Sequence, residues 1–355
     1  MSRFVQLHVL TSYPPSNLNR DDTGRPKTAR VGDATRLRIS SQSLKRAWRT
    51  SEVFESELAG HLGTRTKRMG HEVFKQLKAG GVDDKRAREW AKEIAKQFGK
   101  LKSDKKTEND EDLEIEQLAH FSPEEKDALQ ALVSTLIARQ DKPTEEELSL
   151  LSHPKRAVDI AMFGRMLADP KMVEFGVEAA VQVAHAITVH QAGVEDDYFS
   201  AVDDLNRRED TGAGHIGERG YGAGLFYLYL SIDREALKKN LGDDEALTRR
   251  ALKALVQAVT KVSPTGMQNS FASRAYASHV LAEKGNQQPR SLAQAFLKPV
   301  KPFADEDLLL KTVQALHTRR KNFDAVYGDC ADARYTLDVE TPEGSIDALI
   351  EFAAG

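Results

Sequence analysis

The segment Leu225–Ile232 (Leu-Phe-Tyr-Leu-Tyr-Leu-Ser-Ile) most limits the fold. Apolar, aromatic and β-branched residues in an unbroken run form a strand, and such a strand needs a sheet around it. Phe4–Leu10 alternates well enough to make a second, half-buried strand. Val181–Val189 alternates by two and predicts a third, Ala157–Phe163 reads as another ending at Gly164, and Ser278–Ala282 reads as a short one. Helical patterns lie between them: a basic helix opens at Ser40–Ser43, Glu245–Val262 is amphipathic, and Asp305–Lys321 forms a further helix. The resulting order β-α-β-β-α-β is the ferredoxin-like arrangement, α+β in class, which RNA-recognition modules also use.

Three stretches interrupt that order. Charged, helix-forming sequence between Ser51 and Ser152 predicts helices at Thr66–Lys78, Asp83–Phe98, Ser122–Arg139 and Thr144–Leu151. Ser122 with Glu125 and Thr144 with Glu147 have the spacing of capping boxes, and the acidic stretch Asp104–Asp112 reads as a mobile connection. This region, 52–155, reads as a helical insertion. Thr11–Arg38, rich in Pro, Asn, Asp, Gly and Arg, reads as a long irregular loop, and long loops in compact domains are commonly functional. Gln191–Gly222 holds six glycines and eight acids and joins two strands, so it reads as an irregular segment, a loop or hairpin projecting from the sheet.

Charge is distributed unevenly. The chain has 355 residues and a net charge of −3, yet Arg25–Arg49 carries eight basic residues against Asp33 alone, a local +7. Asp104–Glu125 carries nine acids against Lys105 and Lys106. A compact basic patch can hold a phosphate backbone on a nearly neutral protein. On a helix, Gln42, Lys45, Arg46 and Arg49 share one face, while Leu44, Ala47 and Trp48 lie opposite and can pack on a sheet. Lys, Arg, Ser hydroxyl, Gln amide and backbone donors suit sugar-phosphate better than a base edge. A solvated basic face is the plainer alternative.

Other chemistries find little support. A single cysteine, Cys330, excludes an internal disulfide and a cysteine zinc cluster, and its default is a buried inert thiol in a reducing cytoplasm. His185 and His190, five apart on a strand, face opposite sides and do not form a joint metal site. Asp21-Asp22 and Asp203-Asp204 read as turn or capping pairs, and no phosphate-binding loop signature is present. Ala179–Val194, the longest uncharged stretch, is too short and too polar to span a bilayer. No cofactor, metal or catalytic residue is expected. Phe199, Val202 and Ile216, apolar within the projecting segment, serve either as a small pinning core or as wedges against nucleobases.

Several blocks now resemble one family. Phe4–Leu10 with Leu18-Asn-Arg-Asp-Asp22, Arg38–Ala47, Val158–Ala161 with Gly164-Arg-Met166, Ala184–Thr188 and Phe199–Leu205 together resemble CasC, the backbone subunit of the type I-E CRISPR Cascade complex. The resemblance implies an RNA-recognition-type palm (1–51, 156–190, 223–355), a helical fingers insertion (52–155) and a thumb (191–222). It implies copies polymerised head to tail along a CRISPR guide RNA, thumbs kinking the guide at intervals, and no nuclease activity. Implied partners are the guide, target DNA through it, further copies of the chain, and the large, small, guide 5′-end and guide 3′-hairpin-binding Cascade subunits. Residue by residue, Lys27, Ser40, Gln42, Lys45 and Arg46 match guide-backbone contacts, and Arg49 stands where a lysine is familiar. Arg38, Ser43 and Arg165 join the same RNA-binding set. Asn19, Arg20 and Asp22 support the guide or a neighbouring copy, while Met166, Phe199, Val202 and Ile216 pack around the displaced nucleotide.

Two rival readings remain at this stage. An RNA-processing endonuclease on a related fold would need His185 or His190 as a mobile general base. A solitary sequence-specific RNA-binding module would expose aromatics such as Phe226, Tyr227 and Tyr229 on the central strands.

Overall fold

The computed structural model describes residues 2–103, 109–149, 151, 157–165, 176–201, 215–301 and 306–355, with side chains omitted at 201, 215 and 216. Its first half contains β1 (Phe4–Ser16), β2 (Thr28–Val31), β3 (Ala34–Ile39), α1 (Ser41–Arg49), α2 (Glu52–Glu57), β4 (Thr64–Thr66), α3 (Met69–Ala79), α4 (Asp84–Lys96), β5 (Ala119–Phe121), α5 (Pro123–Arg139), α6 (Glu145–Ser149) and α7 (Val158–Phe163). There follow β6 (Val181–Val183), β7 (Ala186–Thr188), β8 (Glu195–Ala201), β9 (His215–Asp233), α8 (Arg234–Asn240), α9 (Glu245–Lys261), α10 (Gln268–Phe271), β10 (His279–Gly285), α11 (Leu308–Tyr327), β11 (Ala333–Asp338) and α12 (Ile346–Ala354). The chain divides into two compact units: Met1–Phe54 with Gln182–Asp233 and Leu252–Gly355, and Glu55–Val181 with Arg234–Ala251.

In the first unit one sheet runs β11-β10-β1-β9-β7-β3-β2, with antiparallel pairing along it. β1 is central, Leu7 lying opposite Ala282 on one side and Leu230 on the other. Opposed residues share a face, so Val5, Leu7, Val9, Leu230, Ile232 and Val280 form one buried apolar layer. On the reverse face, Leu10, Tyr227 and Leu281 pack with Leu292, Phe296, Val300 and Leu316 from the segment that follows β10.

Glu283 sits inside that reverse face with no exposed surface. It accepts from Arg334 Nε at 2.9 Å and from Arg290 Nη2 at 3.1 Å, and lies 3.2 Å from His8 Nε2. Burial alone would raise its carboxyl pKa, but the bonds from His8 and Arg290 outweigh burial and hold it well below the usual range. Burial pushes His8 the other way, down, by more than Glu283 lifts it. Such a buried carboxylate is tolerable only with cations on it.

The second unit is built around Val73, Leu77, Trp90, Ile94, Phe98, Phe121 and Leu136, contributed by α3, α4, β5 and α5 with the intervening chain. Both expected capping boxes form: Ser122 Oγ accepts from the Glu125 amide at 3.1 Å and Glu125 returns the bond at 2.7 Å, and Thr144 and Glu147 do likewise. The acidic stretch is partly pinned, because Asp112 is fully buried between Arg88 at 2.8 Å and Lys92 at 2.8 Å. Residues 104–108 lie outside the described residues.

Three expectations fail for identifiable reasons. Ala157–Phe163 is not a strand but the helix α7, whose Val158, Ile160, Ala161 and Met162 are all buried. A helix buried on every side has no polar stripe, so an apolar run cannot be told from a strand by period. Thr11–Arg38 is not irregular throughout: β1 continues to Ser16, and β2 and β3 form a hairpin turning at Gly32, whose φ is +64°. A side chain at Gly32 would also collide with the Leu297 carbonyl. Val181–Val189 breaks into β6 and β7 around Ala184-His185. Of the two forms expected for Gln191–Gly222, loop or hairpin, the described residues form the paired strands of a hairpin, β8 and the start of β9 pairing from Glu195↔Tyr221 to Ala201↔His215.

Candidate nucleic-acid interface

The basic helix α1 begins where expected. Ser40 caps it, Oγ accepting from the Ser43 amide at 3.3 Å, and the Ser40 amide donates to Asn19 Oδ1 at 2.8 Å. One serine thereby joins the loop after β1 to the start of the helix. Leu44 and Trp48 are buried, so Gln42 and Arg46 are turned outward while Ser43, Lys45 and Arg49 are half-buried along the flanks. Burial lowers the Lys45 ammonium pKa. The first turn has no acid, and Arg46 and Arg49 lie in the last.

A cleft of about 300 Å³ opens beside this helix. Leu18, Asn19 and Arg20 form one wall, Ser43, Arg46, Ala47 and Thr50 the second, and Pro264, Thr265 and Gly266 the third. Arg20 and Arg46 are exposed, and among the described residues neither has an ion-pair partner. With Asn19 Oδ1 occupied by Ser40, its Nδ2 is left to donate, and the Ser43 hydroxyl is likewise without a partner among the described residues. Two guanidiniums unpaired among the described residues, with neutral donors between them, have the chemistry to hold an anion carried on a polar framework.

A second basic group lies at the start of α1. The Lys27 amide donates to Asn19 O at 2.8 Å and the Arg38 amide to Lys27 O at 2.8 Å. The Ser41 amide donates to His185 Nδ1 at 3.0 Å, which leaves the proton of a neutral imidazole on Nε2. Burial, and then Arg38 and Lys27, push the His185 pKa down. Asp22 is exposed in the intervening loop. Its neighbour Asp21 makes the turn, accepting from the Thr23 amide at 2.9 Å, the Thr23 hydroxyl at 2.8 Å and the Arg25 amide at 2.9 Å.

The loop is also tied to the β8–β9 hairpin. Asn17, nearly fully buried, donates through Nδ2 to Gly24 O at 2.9 Å and Gly220 O at 3.0 Å, and Arg25 pairs with Asp196 at 2.8 Å. On the hairpin Phe199 lies opposite Gly217, and its ring fills the space a Cβ there would take. The Arg219 guanidinium sits 4.4 Å from that ring's centroid. Gly222 and Gly224 are packing glycines, since a Cβ would fall 2.7 Å from Leu37 Cδ1 and from Thr188 Cγ2 respectively. Ile216 occupies the register position opposite Ser200. Met166 and Val202 lie outside the described residues.

Not every arginine of the predicted set reaches this surface. Arg165 lies in the second unit, where Nη1 binds Glu125 at 2.7 Å and His120 O at 3.0 Å with almost no exposure. Buried and engaged by the capping-box glutamate, it has no surface to offer a phosphate. Arg36, counted in the basic run, is fully buried and donates to Thr188 O and Phe296 O. His190 is structural: its Nε2 accepts from the Leu225 amide at 3.1 Å and its Nδ1 bonds Gln191 O at 2.9 Å. Cys330 is a buried free thiol whose pKa is raised, chiefly by burial. Phe226 and Tyr227 are buried on opposite faces of the sheet, against Tyr13 and Phe296 respectively, and half-buried Tyr229 donates to Gln6 Oε1 at 2.8 Å and stacks on His8, so none of the three is an open aromatic platform. The third wall, Pro264–Gly266, was missed by sequence reasoning. Its only signal was a Pro-Thr-Gly turn after a helix, with nothing to connect it to Asn19 or Arg46.

The sequence profile of the CT1975-like protein family matches residues 5–351. A chain from a solved CRISPR RNA-guided surveillance complex, pre-nicking, is similar at 30% identity with a TM-score of 0.84, over 99% of this chain and 100% of that one. A chain from another CRISPR RNA-guided surveillance complex is similar at 27% identity with a TM-score of 0.74, over 99% and 100% of the two chains. No curated protein sequence matches.

Proposed function

The chain belongs to the CT1975-like family, and on that premise we propose that it is a non-catalytic, RNA-binding backbone subunit of a type I-E CRISPR surveillance complex. The observation that carries the reading is the cleft in which Arg20 and Arg46, unpaired among the described residues, face Asn19 and Ser43. Gln42, Lys45 and Arg49 extend that surface along α1, Lys27 and Arg38 flank its start, and Ser40, buried as its cap, holds the helix end in place. A backbone subunit must accept any spacer sequence. Holding phosphate and sugar while leaving base edges free for target pairing meets that need.

The likeness to chains of CRISPR RNA-guided surveillance complexes supports membership of such an assembly. Strands β10, β1, β9 and β7 lie in the order four-one-three-two when numbered by position in the chain, which supports a ferredoxin-like, RNA-recognition-type palm. In this reading the helical segment 52–155 is the fingers and 191–222 the thumb, with Phe199 at the displaced nucleotide. Copies joined head to tail use a heterologous contact that does not close, which produces a helical filament along the guide. The protein then works in the cytoplasm, and among the described residues no helix is long and apolar enough to cross a membrane. The endonuclease reading needs a histidine free to act as a base, whereas His185 and His190 each engage a backbone amide.

Expression with the remaining complex subunits and a guide, followed by sizing and RNA sequencing, tests the proposal. Spacer-length RNA should co-purify with several copies of the chain. Replacing residues 195–219 with a short Gly-Ser turn should leave the sheet folded and stop growth beyond single copies. Normal assembly by that variant, or cleavage of the guide by the purified chain, would overturn the reading.

A further inference from the structure

The third wall of the cleft points to how the chain distinguishes RNA from DNA. Thr265 is exposed and stands outside any helix or strand, and its hydroxyl has no partner among the described residues. Its position is nevertheless fixed. Pro264 is buried, the Gln268 amide closes the turn on Thr265 O at 3.3 Å, and Gly266 packs on the chain before Asn19. A Cβ at Gly266 would fall 2.6 Å from Asn17 O. The next residue, Met267, is held at a φ of +48°, a conformation that side chains rarely adopt without support from their surroundings. A free hydroxyl on a rigid turn is thus presented to a cleft whose two cations, Arg20 and Arg46, come from the other walls.

Leu18, Ala47 and Pro264 give the same cleft an apolar lining. Guanidinium for a phosphate, apolar lining for the carbons of a sugar, and a neutral group that both donates and accepts together match one ribose-phosphate unit. The 2′-hydroxyl is the group by which a protein tells RNA from DNA. Resting on the RNA-binding role proposed above, we infer that Thr265 recognises the 2′-hydroxyl of the nucleotide whose phosphate lies on Arg20 and Arg46, and so sets the preference for RNA.

The test compares single-stranded RNA and DNA of one sequence on the full chain, with Thr265→Val, Thr265→Ser and Arg46→Gln. Thr265 is exposed, so the folded state should tolerate both replacements. Thr265→Val should reduce the RNA-to-DNA affinity ratio roughly three- to tenfold, the effect of one lost hydrogen bond, with an unchanged salt slope. Thr265→Ser should keep the ratio within about twofold of the parent. Arg46→Gln should weaken RNA and DNA alike and make the salt slope shallower. An unchanged ratio in Thr265→Val, or a loss shared equally by RNA and DNA, overturns the inference. If Arg46→Gln leaves the slope untouched, the phosphate-binding role itself fails, a separate result from failure at Thr265.

Discussion

Replacing Arg36 with Met should destabilise the protein and leave RNA binding intact, although Arg36 belongs to the same basic run as Arg46. The Arg36 side chain is fully buried, Nη1 donating to Thr188 O at 2.8 Å and Nη2 to Phe296 O at 2.9 Å. It therefore joins β3 to β7 and to the segment that closes the sheet. Hydrogen bonds to a charged group contribute roughly 1.5–3 kcal/mol each, and the variant leaves two buried carbonyls unpaired. Against this stands the unfavourable burial of the cation itself. Burial pushes the Arg36 pKa down, and Nε has no partner among the described residues. The difference leaves a net loss of about 2–4 kcal/mol, a fall in Tm of roughly 5–15 °C for a unit of this size. Thermal melts followed by circular dichroism, paired with RNA titrations at several salt concentrations, measure both sides of the claim. A variant that melts like the parent and binds RNA with a shallower salt slope would refute the reasoning, because Arg36 would then be a surface contact.

Glu283→Gln should lower stability by about 3–5 kcal/mol at neutral pH, since Arg290 and Arg334 lose their shared buried carboxylate. The folded carboxyl titrates below the unfolded one, so its contribution is complete above about pH 4.3 and is lost as pH falls from there. Urea titrations across pH should accordingly find a flatter acid limb in the variant. Gly266→Ala should weaken RNA binding by displacing the third wall of the cleft, because its Cβ would overlap the Asn17 and Leu18 carbonyls; unchanged affinity would show that this wall is not in contact. Ser122→Ala should cost about 1 kcal/mol through loss of the α5 cap and leave RNA affinity alone, as stability and binding measured on one preparation would reveal.

The helices with clear caps and stripes were legible before the structure: α4 and α5 lie within a few residues of their predicted bounds, and α1 starts at the serine run. So were the central strands, because Leu7 and Leu230 alternate with residues of a different face. What escaped was set by non-local packing. Nothing local makes Val158–Phe163 a helix rather than a strand when all but its last residue are buried, Asp159 included. Nor does a count of basic residues separate Arg36, which turns inward to two carbonyls, from Arg46, which faces a cleft. The candidate site was half visible. Asn19, Arg20, Ser43 and Arg46 were singled out and do share a cleft, whereas Thr265 and Gly266 reach it from far along the chain and Arg165 lies in the other unit. Thr11–Arg38 was misread because its glycines and prolines hide a hairpin whose strands are short.

The central claim is that this surface holds a nucleic-acid chain by its phosphates, whatever its bases. The most direct test is the salt slope, d log K/d log[salt], for two single-stranded RNAs of unrelated sequence, measured with the parent chain and with Arg20→Gln/Arg46→Gln. The slope should become shallower by about 1.4, roughly 0.7 for each lost phosphate contact, and by the same amount for both RNAs. An unchanged slope, or a loss of affinity that depends on which RNA is used, would contradict the account.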